Sequence, residues 1–340
     1  MYLLNTWYVA GFSDEIDGNR LLARCLLDRP VVLFRKPDGG VAALDDRCPH
    51  RFAPLSAGKL CDEGAALQCP YHGLRFDGAG NCVYNPHSKG SIPKAARVTS
   101  YPVVDRYGLL WWWPGDLALA NPDLIPDYTP IARAHPDGSF RGYLRTQCHY
   151  ELLVDNILDL THADYLHAGT LGNGSLTRAK ASVTDLDERN LHVRWVCSGE
   201  RAPPAFDAHL RVPGEPADQW TEVTWTAPGN MLLHVGATLQ GEDRARGVDV
   251  LTAHVATPQD RSSTHYWFWA TRNFALSPAE NARIRGFVEY AFAQQDKPML
   301  EAQQQNMDGA DFWSAKPLLL ASDAAAVRVR RKLAKLMENQ

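Results

Sequence analysis

The sequence has no long hydrophobic run, no strong excess of either charge, and no repeated or low-complexity segment. The lack of 18 consecutive apolar residues excludes a membrane-spanning helix. With 35 Lys and Arg against 39 Asp and Glu, the net charge is -4. This balance gives no indication of the excess positive charge that nucleic-acid binding requires. The first twelve residues contain neither a basic segment nor a small-residue cleavage site, which argues against a secretory signal. We therefore expect a cytoplasmic protein that binds neither membranes nor nucleic acids.

Cysteine is too sparse and irregular for a disulfide framework. The chain has seven cysteines, an odd number, and five of them are scattered outside any motif. In a reducing compartment such cysteines are typically free thiols. A length of 340 residues exceeds the usual size of one hydrophobic core, so two domains are expected.

Two short segments combine cysteine with histidine, Cys48-x-His50 and Cys69-x2-His72. Such a donor set can bind either a tetrahedral zinc ion or a two-iron cluster. Zinc sites usually pair like ligands at short spacing, whereas each segment here offers one cysteine and one histidine. This arrangement is typical of a Rieske [2Fe-2S] cluster, where two cysteines bind one iron and two histidines bind the other. The alternatives are a zinc site, or two buried cysteines near unrelated histidines.

The chain divides by pattern into an N-terminal domain, 1–120, and a C-terminal domain, 121–340. The first is predicted to contain many short strands, and the proline-rich stretch 121–136 is predicted to be an extended linker. Longer strand-like segments then predict an antiparallel sheet with helices packed on it, an α+β architecture. Three tryptophans at 111–113 are interpreted as a buried strand end rather than a stacking platform for bases. The strand-like segments are 7–10, 31–34, 41–44, 108–113, 191–196, 222–226, 231–235, 248–254 and 263–270.

Two helices are marked near the C-terminus. Ser277 and Glu280 form a capping box with proline at the first helical position. Apolar residues at helical spacing extend this helix to about residue 307. The terminal helix is predicted to begin near Ser322 and to end in a basic, solvated turn.

A second group of potential metal ligands lies in segment 152–167, where leucines alternate with acids and histidines. Buried acids and imidazoles are costly unless they are paired or bind a metal. Asn156, Asp159 and His162 are spaced three apart and would share one helical face. His162 and His167 lie about 140° apart on an unbroken helix, at about 100° per residue. Both can face one metal only if the helix ends, bends or carries a π-bulge between them.

Asp296 is the third candidate ligand, because it lies on the apolar stripe of the 278–307 helix, four residues after Phe292. A lone acid on a buried face requires a cation. Two histidines and one carboxylate with open positions form the triad of non-haem Fe(II) oxygenases. A buried hydrogen-bond network is the alternative. The Rieske motif favours the iron site, because an electron carrier and an O2-binding iron make one enzyme.

Together the two Cys/His segments and the D-N-x2-D-x2-H-x4-H stretch at 155–167 resemble the oxygenase components of Rieske non-haem iron oxygenases. The finer resemblance is to the group of vanillate O-demethylase and dicamba monooxygenase. It implies a Rieske β domain followed by a helix-grip catalytic domain, assembled as a head-to-tail homotrimer. The likeness covers nearly the whole chain, including 5–10, 51–56, 113–116, 153–156 and 272–274.

The resemblance also implies roles for individual residues. The cluster ligands would be Cys48, Cys69, His50 and His72, and the Fe(II) ligands would be His162, His167 and Asp296.

Two polar residues close to the iron ligands in the sequence would assist the metal centres. Asp159 would bridge to His72 of the partner subunit, which would orient both imidazoles and couple electron transfer to a proton. The alternative is that Asp159 orients His162 alone. Asn156 would lie near the iron without binding it.

The implied reaction hydroxylates a methyl group of a small aromatic acid, using O2 and electrons derived from NADH. A reductase with flavin and a plant-type [2Fe-2S] centre, or a ferredoxin, would deliver the electrons. A methyl ether would yield a phenol and formaldehyde, and an aryl methyl group would yield an alcohol. The stretch Thr170-Leu171-Gly172 also resembles the toluenesulfonate methyl-monooxygenases, so aryl-methyl hydroxylation is the alternative. Alternatives of another class are a Rieske electron-transfer protein without catalytic iron and a zinc-stabilised interaction module.

Three residues are expected in the substrate pocket. His254 falls where a member of the group has a substrate-contacting histidine, although it could equally be a hydrogen-bonded histidine on a strand. Asn230 is near a matching asparagine. Phe287 occupies a place where that member has tryptophan, and the smaller ring predicts a different substrate.

Overall fold

The computed structural model describes the backbone of residues 1–340 and every side chain except that of Ser88. It divides into two compact units. The first comprises Met1–Ile125 with Gln259–Arg261 and Gln340, and the second comprises Pro126–Pro258 with Ser262–Asn339. Residues 121–125, 259–261 and 340, which the sequence places in the second domain, belong to the first unit.

The N-terminal unit consists of short antiparallel strands in three sheets, with orders β1-β11-β10, β2-β3-β4-β9 and β5-β6-β7-β8. The Cys/His segments are the loops that join β4 to β5 and β6 to β7, so both flank the same small sheet. The strands are β1 (Tyr8–Phe12), β2 (Leu22–Leu26), β3 (Arg29–Arg35), β4 (Val41–Asp45), β5 (Lys59–Cys61), β6 (Ala66–Gln68), β7 (Arg75–Asp77), β8 (Cys82–Tyr84), β9 (Ser100–Tyr101), β10 (Val103–Arg106) and β11 (Leu109–Trp112).

The second unit is organised around a seven-stranded antiparallel sheet of order β12-β18-β17-β16-β15-β14-β13. The chain runs as a meander from β13 to β18, and β12 completes the sheet beside β18. The strands are β12 (Ser139–Thr146), β13 (Ser182–Asp185), β14 (Asn190–Arg201), β15 (Pro216–Thr226), β16 (Asn230–Leu239), β17 (Val248–Asp260) and β18 (Ser263–Arg272).

Helices connect and cover this sheet, and a π-helical segment, Ala291–Asp296, joins two of them. None of the described helices is both long enough and apolar enough to cross a membrane. The helices are α1 (Thr129–Ala132), α2 (Tyr150–Leu158), α3 (Ala163–Leu166), α4 (Ser175–Arg178), α5 (Pro204–Asp207), α6 (Pro278–Tyr290), α7 (Lys297–Asn306) and α8 (Ala324–Glu338).

The predicted α+β architecture is confirmed, and each of the predicted strands overlaps a strand of the structure. The capping box is confirmed as well, because the backbone N–H of Glu280 donates to the Ser277 hydroxyl over 3.3 Å. The three tryptophans at 111–113 are fully buried, so they cannot serve as a stacking platform.

One long strand, β12, gave no recognisable signal. A Cβ at Gly142 would lie 2.1 Å from the ring of Phe268 on the neighbouring strand. The glycine makes room for that ring, but it also interrupts the alternation by which strands are recognised.

The prediction of an extended linker over 121–136 is wrong. This stretch contains a 3-10 turn at Pro122–Leu124 and helix α1, and a further turn begins at Pro136. Each has a proline in its first turn, where the missing N–H costs nothing and the fixed φ suits the helix. The prolines therefore initiate short helical turns instead of extending the chain.

Candidate metal centres

The first Cys/His loop folds back on itself around Cys48. The N–H of Cys48 donates to the carbonyl of Ala53 over 2.9 Å, and the N–H of Phe52 donates to the carbonyl of Cys48 over 2.9 Å. Phe52 has a φ of 61°, in the left-handed region. This positive φ reverses the chain directly after the Cys-x-His sequence.

The second loop repeats this hydrogen-bond pattern. The N–H of Cys69 donates to the carbonyl of Leu74 over 2.8 Å, and Gly73 donates to the carbonyl of Cys69 over 3.2 Å. Gly73, with φ 75°, occupies the left-handed position. Two loops of the same construction thus present one cysteine and one histidine each.

The two cysteines point inward and the two histidines lie nearer the surface. Cys48 and Cys69 are 2% and 1% exposed, whereas His50 is exposed and His72 is half-buried. The two imidazole rings lie 4.5 Å apart between centroids. Burial and the adjacent Cys69 raise the pKa of the Cys48 thiol to about 11, so its thiolate requires a cation. A buried sulfur pair and an outer nitrogen pair fit the divided ligand set of a Rieske cluster.

A single tetrahedral zinc fits these four residues less well, because its ligand atoms must converge on one point. Among the described residues, one group of at least three His, Cys, Asp or Glu side chains has all its ligand atoms within 4.8 Å of one another. It consists of His162, His167 and Asp296. The loop cysteines and histidines do not converge in this way.

His162 and His167 stand at the two ends of the one-turn helix α3. Helix α2 ends at Leu158, and Asp159 leaves the helical region with φ -127° and ψ 88°. The prediction that Asn156, Asp159 and His162 share a face of one helix is therefore wrong. The chain restarts as a 3-10 turn, and α3 ends at His167, which brings the two imidazole rings to 5.5 Å.

Hydrogen bonds to carbonyl oxygens determine which nitrogen of each histidine is free. Nδ1 of His162 contacts the backbone oxygen of Asp159 at 2.7 Å, and Nδ1 of His167 contacts Oε1 of Gln295 at 2.8 Å. The amide of Gln295 is itself oriented by donation from Nε2 to the carbonyl of Leu166. Since carbonyl oxygens only accept, both Nδ1 atoms carry a proton, so the neutral form of each imidazole has its lone pair on Nε2.

Both free nitrogens face the same carboxylate oxygen. Nε2 of His162 lies 3.4 Å from Oδ1 of Asp296, and Nε2 of His167 lies 3.2 Å from it. Burial opposes ionisation of Asp296, but hydrogen bonds and charge attraction from the protonated forms of His162 and His167 outweigh it and lower the pKa of Asp296 to about 2. Nδ2 of Asn156 lies 3.4 Å from the same oxygen. Two nitrogen lone pairs and an ionised carboxylate that converge in a buried site fit a cation such as Fe(II).

Asp296 reaches this position through the π-helical segment that it ends. The sequence predicts Asp296 on a continuous α-helix, and a helix end, bend or π-bulge between the two histidines. The structure places the π-helix on the other element of the site, and Gln295, which orients His167, lies in the same segment. No sequence signal pointed to Gln295, because its contact joins residues 128 positions apart.

The Asp159 carboxylate does not contact His162. It accepts from the backbone N–H of Thr161 at 3.0 Å and from its hydroxyl at 2.7 Å, and so caps the 3-10 turn. It is the backbone oxygen of Asp159 that orients His162.

The triad lines a cavity of about 420 Å³ in the second unit. His254 and Phe287 line this cavity, as predicted for substrate contacts. A space of this size and lining is typical of sites for small organic molecules. Apolar side chains form most of the wall, among them Phe140, Ile157, Leu160, Trp195, Val235, Val288 and Phe292.

His254 is fully buried and has one free nitrogen. Its Nδ1 lies 2.7 Å from the hydroxyl of Tyr266, and its Nε2 has no hydrogen-bond partner among the described residues. Burial lowers its pKa to about 3, so the ring is neutral. The free nitrogen remains available to a polar group of a ligand.

The structure does not bring Asn230 into the cavity. On paired antiparallel strands, opposed residues share a face, and His254 is opposed to Met231 while Asn230 is opposed to Val255. Asn230 therefore points to the face opposite His254, and it is absent from the described lining residues. The predicted substrate contact of Asn230 is not supported.

Known protein families match both domains of the chain. Residues 6–102 match the family described as the Rieske [2Fe-2S] domain. Residues 146–339 match the vanillate O-demethylase oxygenase C-terminal domain.

Several relatives align over almost the full chain. The dicamba O-demethylase oxygenase component of Stenotrophomonas maltophilia is 38% identical, with 98% of each chain covered. The chloroacetanilide N-alkylformylase oxygenase component of Rhizorhabdus wittichii is 40% identical, with 98% of this chain and 95% of the relative covered. The toluene-4-sulfonate monooxygenase system iron-sulfur subunit of Comamonas testosteroni is 35% identical, with 99% and 98% covered.

A crystal structure of dicamba monooxygenase with non-haem iron and dicamba superposes with a TM-score of 0.84 at 36% identity, with 99% of this chain and 98% of that chain covered. The fold, the donor sets and the full-length relatives agree. The chain therefore belongs to the Rieske non-haem iron oxygenases of the vanillate O-demethylase group, as an oxygenase component that carries a Rieske [2Fe-2S] cluster and a mononuclear iron and works with a separate reductase or ferredoxin.

Proposed function

We propose that this protein O-demethylates a methoxy-substituted aromatic acid, such as a vanillate-like methoxybenzoate, with release of formaldehyde. The observation that carries the proposal is the apolar cavity of about 420 Å³ with His162, His167 and Asp296 in its wall. Relatives named for O-demethylation of dicamba and vanillate support this reaction.

The iron ligands in this proposal are His162, His167 and Asp296, and the cluster ligands are Cys48, Cys69, His50 and His72. When bound, the two centres supply O2 activation and one-electron transfer. The chain's own residues perform the positioning. Gln295 and the Asp159 carbonyl hold both imidazoles with Nε2 toward Asp296.

The rest of the cavity selects and holds the substrate. Its apolar wall excludes water and holds an aromatic ring so that the methyl group faces the triad. His254 Nε2 and the ring of Phe287 are the proposed substrate contacts in the cavity. Because phenylalanine is smaller than the tryptophan expected in the resembled enzyme, the substrate is expected to differ from dicamba.

Electron delivery is proposed to cross between subunits of a homotrimer, with Asp159 bridging to His72 of the partner subunit. Tyr71, next to His72, is 64% exposed, and Tyr165, between the two histidines of the triad, is 74% exposed. Such exposed aromatic side chains support the proposal that a neighbouring subunit packs over both sites. The electron donor is proposed to be an NADH-dependent reductase with flavin and a plant-type [2Fe-2S] centre, or a ferredoxin, and the compartment the cytoplasm.

The second candidate function is hydroxylation of an aryl methyl group. The toluene-4-sulfonate monooxygenase relative supports it at 35% identity over nearly the full length, together with the Thr170-Leu171-Gly172 stretch. Both reactions place a methyl group at the same metal, so the cavity alone does not separate them. The products do, since only the ether releases formaldehyde.

The test is a panel of methoxy- and methyl-substituted aromatic acids, assayed with a reductase for substrate-dependent consumption of NADH and O2. Formaldehyde from a methoxy acid supports O-demethylation, and alcohol from a methylarene without formaldehyde overturns it in favour of the second candidate.

A matched pair of variants tests the division between the two centres. His162→Ala should abolish turnover, reduce iron from about three to about two per chain, and leave the cluster's visible spectrum intact. His192→Ala, a change on a strand outside the cavity, should leave iron content and turnover unchanged. Full turnover in His162→Ala would contradict the proposed site.

A further inference from the structure

The second unit contains two deeply buried arginines in contrasting surroundings. Arg330 is 6% exposed and pairs with the carboxylates of Asp155 and Glu151. Arg272 is 5% exposed and has no direct ion pair among the described residues, although the charge of Glu280 acts on it from a distance. An uncompensated buried charge is costly, so Arg272 calls for a counter-ion.

The partners of Arg272 are all neutral. Its guanidinium donates to the amide oxygen of Asn281 at 2.8 Å and to the backbone oxygens of Asp137 and Ala275 at 3.0 Å each. Its Nε has no partner among the described residues. These bonds hold the guanidinium in place but leave its charge unneutralised.

Two more bases lie at the same end of the cavity. Arg272, Arg283 and His209 all line it, and the ring of His209 lies 4.6 Å from that of Phe274. Burial and the neighbouring guanidiniums of Arg283 and Arg272 lower the pKa of His209. Arg272, Arg283 and His209 therefore lie close enough to repel one another electrostatically when charged.

One acid, Glu280, acts on all three basic groups and offsets their positive charge in part, from outside the cavity. Among the described residues that line the cavity, Asp296 is the single carboxylate, and it belongs to the triad. Glu280 pairs with Arg283 at 2.8 Å but lies outside the lining, and its side chain is 41% exposed. An exposed pair of this kind is weak, so Arg283 remains available to a stronger partner.

The basic end and the triad lie far apart along the sheet. Val250, Thr252 and His254 of β17 line the cavity in succession, and four residues of strand span about 13 Å at about 3.3 Å per residue. Arg272 lies at the Val250 end, because the next residue, Asn273, donates its N–H to the carbonyl of Asp249.

The triad lies near His254, in the middle of β17. The ring of His254 is 5.5 Å from that of Phe292, which precedes Asp296 by four residues. A ligand that contacts both the basic end and the triad must therefore extend along the strand.

We propose that Arg272, Arg283 and His209 form an anion-binding end of the substrate cavity, which holds a carboxylate or sulfonate on an arm extending from the aromatic ring, remote from the methyl group. This inference rests on the proposed function and specifies its substrate as an aromatic acid with a spacer between ring and anion. Arg272 supplies a positive charge that its hydrogen bonds hold in place. Arg283, in the first turns of α6, supplies a second positive charge on a side chain that is free to move.

The test compares ligand binding to the purified holoenzyme in the absence of NADH, using calorimetry. The probes are 4-methoxycinnamate, which has an arm, 4-methoxybenzoate, which lacks one, and the neutral amide of 4-methoxycinnamic acid. Arg283→Gln should weaken binding of 4-methoxycinnamate about tenfold, since a charge-assisted hydrogen bond is lost, and should change binding of the amide less than twofold.

Arg285→Gln is the matched control. Arg285 lies on the same helix, pairs with Glu289 at 2.7 Å much as Arg283 pairs with Glu280, and does not line the cavity. Its replacement should leave binding of all three probes within twofold of wild type.

Several results would overturn the proposal: no binding of 4-methoxycinnamate by the wild type, equal losses for acid and amide, or a loss for Arg283→Gln that is larger with 4-methoxybenzoate. Because no turnover is measured, failure of the anion site and failure of the demethylation activity are separate results.

Discussion

The imidazole of His167 donates from Nδ1 to Oε1 of Gln295 over 2.8 Å, and Gln295 directly precedes Asp296 in the chain. One π-helical segment therefore supplies both a carboxylate for the metal site and the group that orients one of its histidines. The site is built by two chain segments that hold each other in place.

Replacing Gln295 by Leu should weaken binding of the mononuclear iron by about 10- to 100-fold, because the ring of His167 loses the acceptor that fixes its tautomer. Anaerobic iron titration measures the affinity, and the visible spectrum should report an unchanged cluster. Gln294→Leu, on the exposed neighbouring position, is the control and should bind iron normally. Normal iron affinity in Gln295→Leu would show that the hydrogen bond does not orient the ligand.

Arg330→Leu should destabilise the catalytic unit by about 3–5 kcal/mol, because Asp155 and Glu151 would remain buried without their counter-charge. Denaturant unfolding measures the difference. Arg328→Leu, two residues away on the same helix, removes a half-exposed pair with Asp185 and should cost less than about 1 kcal/mol. Equal effects of the two changes would contradict the role assigned to Arg330.

The buried His254 predicts that the folded protein loses stability as the pH falls. Burial lowers its pKa to about 3, so between pH 6.5 and 3 the unfolded chain binds a proton that the folded chain does not. Stability therefore falls as the pH is lowered through this window, by about 1 kcal/mol from this residue between pH 7.5 and 5.5. Urea unfolding of wild type and His254→Gln at both pH values measures it, and the variant should lose less. The same loss in both proteins would argue against a buried neutral His254.

Much of the site could be predicted from the sequence because the ligand types are close together in the chain. Each Cys/His pair lies within a loop of a few residues, and His162 and His167 lie five apart, so spacing alone indicated the chemistry. The strands of the large sheet were also recognisable, because their apolar and β-branched runs are local. Asp296 could be singled out because an acid on an apolar helix stripe is unusual.

The errors arose where the spacing of apolar residues does not reveal a change of backbone conformation or the face to which a strand residue points. Helix α2 stops at Leu158 because the following turn is closed by Asp159 and Thr161, and the π-segment that aims Asp296 has no local signature. Asn230 was misplaced because the facing of a strand residue depends on its register with the neighbouring strand.

The sequence by itself determined which atoms are available to bind iron and the order of the two domains, because ligand identity and short-range spacing are properties of the chain. Only the tertiary structure decided which nitrogen of each histidine is free, which side chains line the cavity, and that Arg272 is buried without a carboxylate. Those properties depend on hydrogen bonds and burial between residues up to 135 positions apart, and no local pattern encodes them.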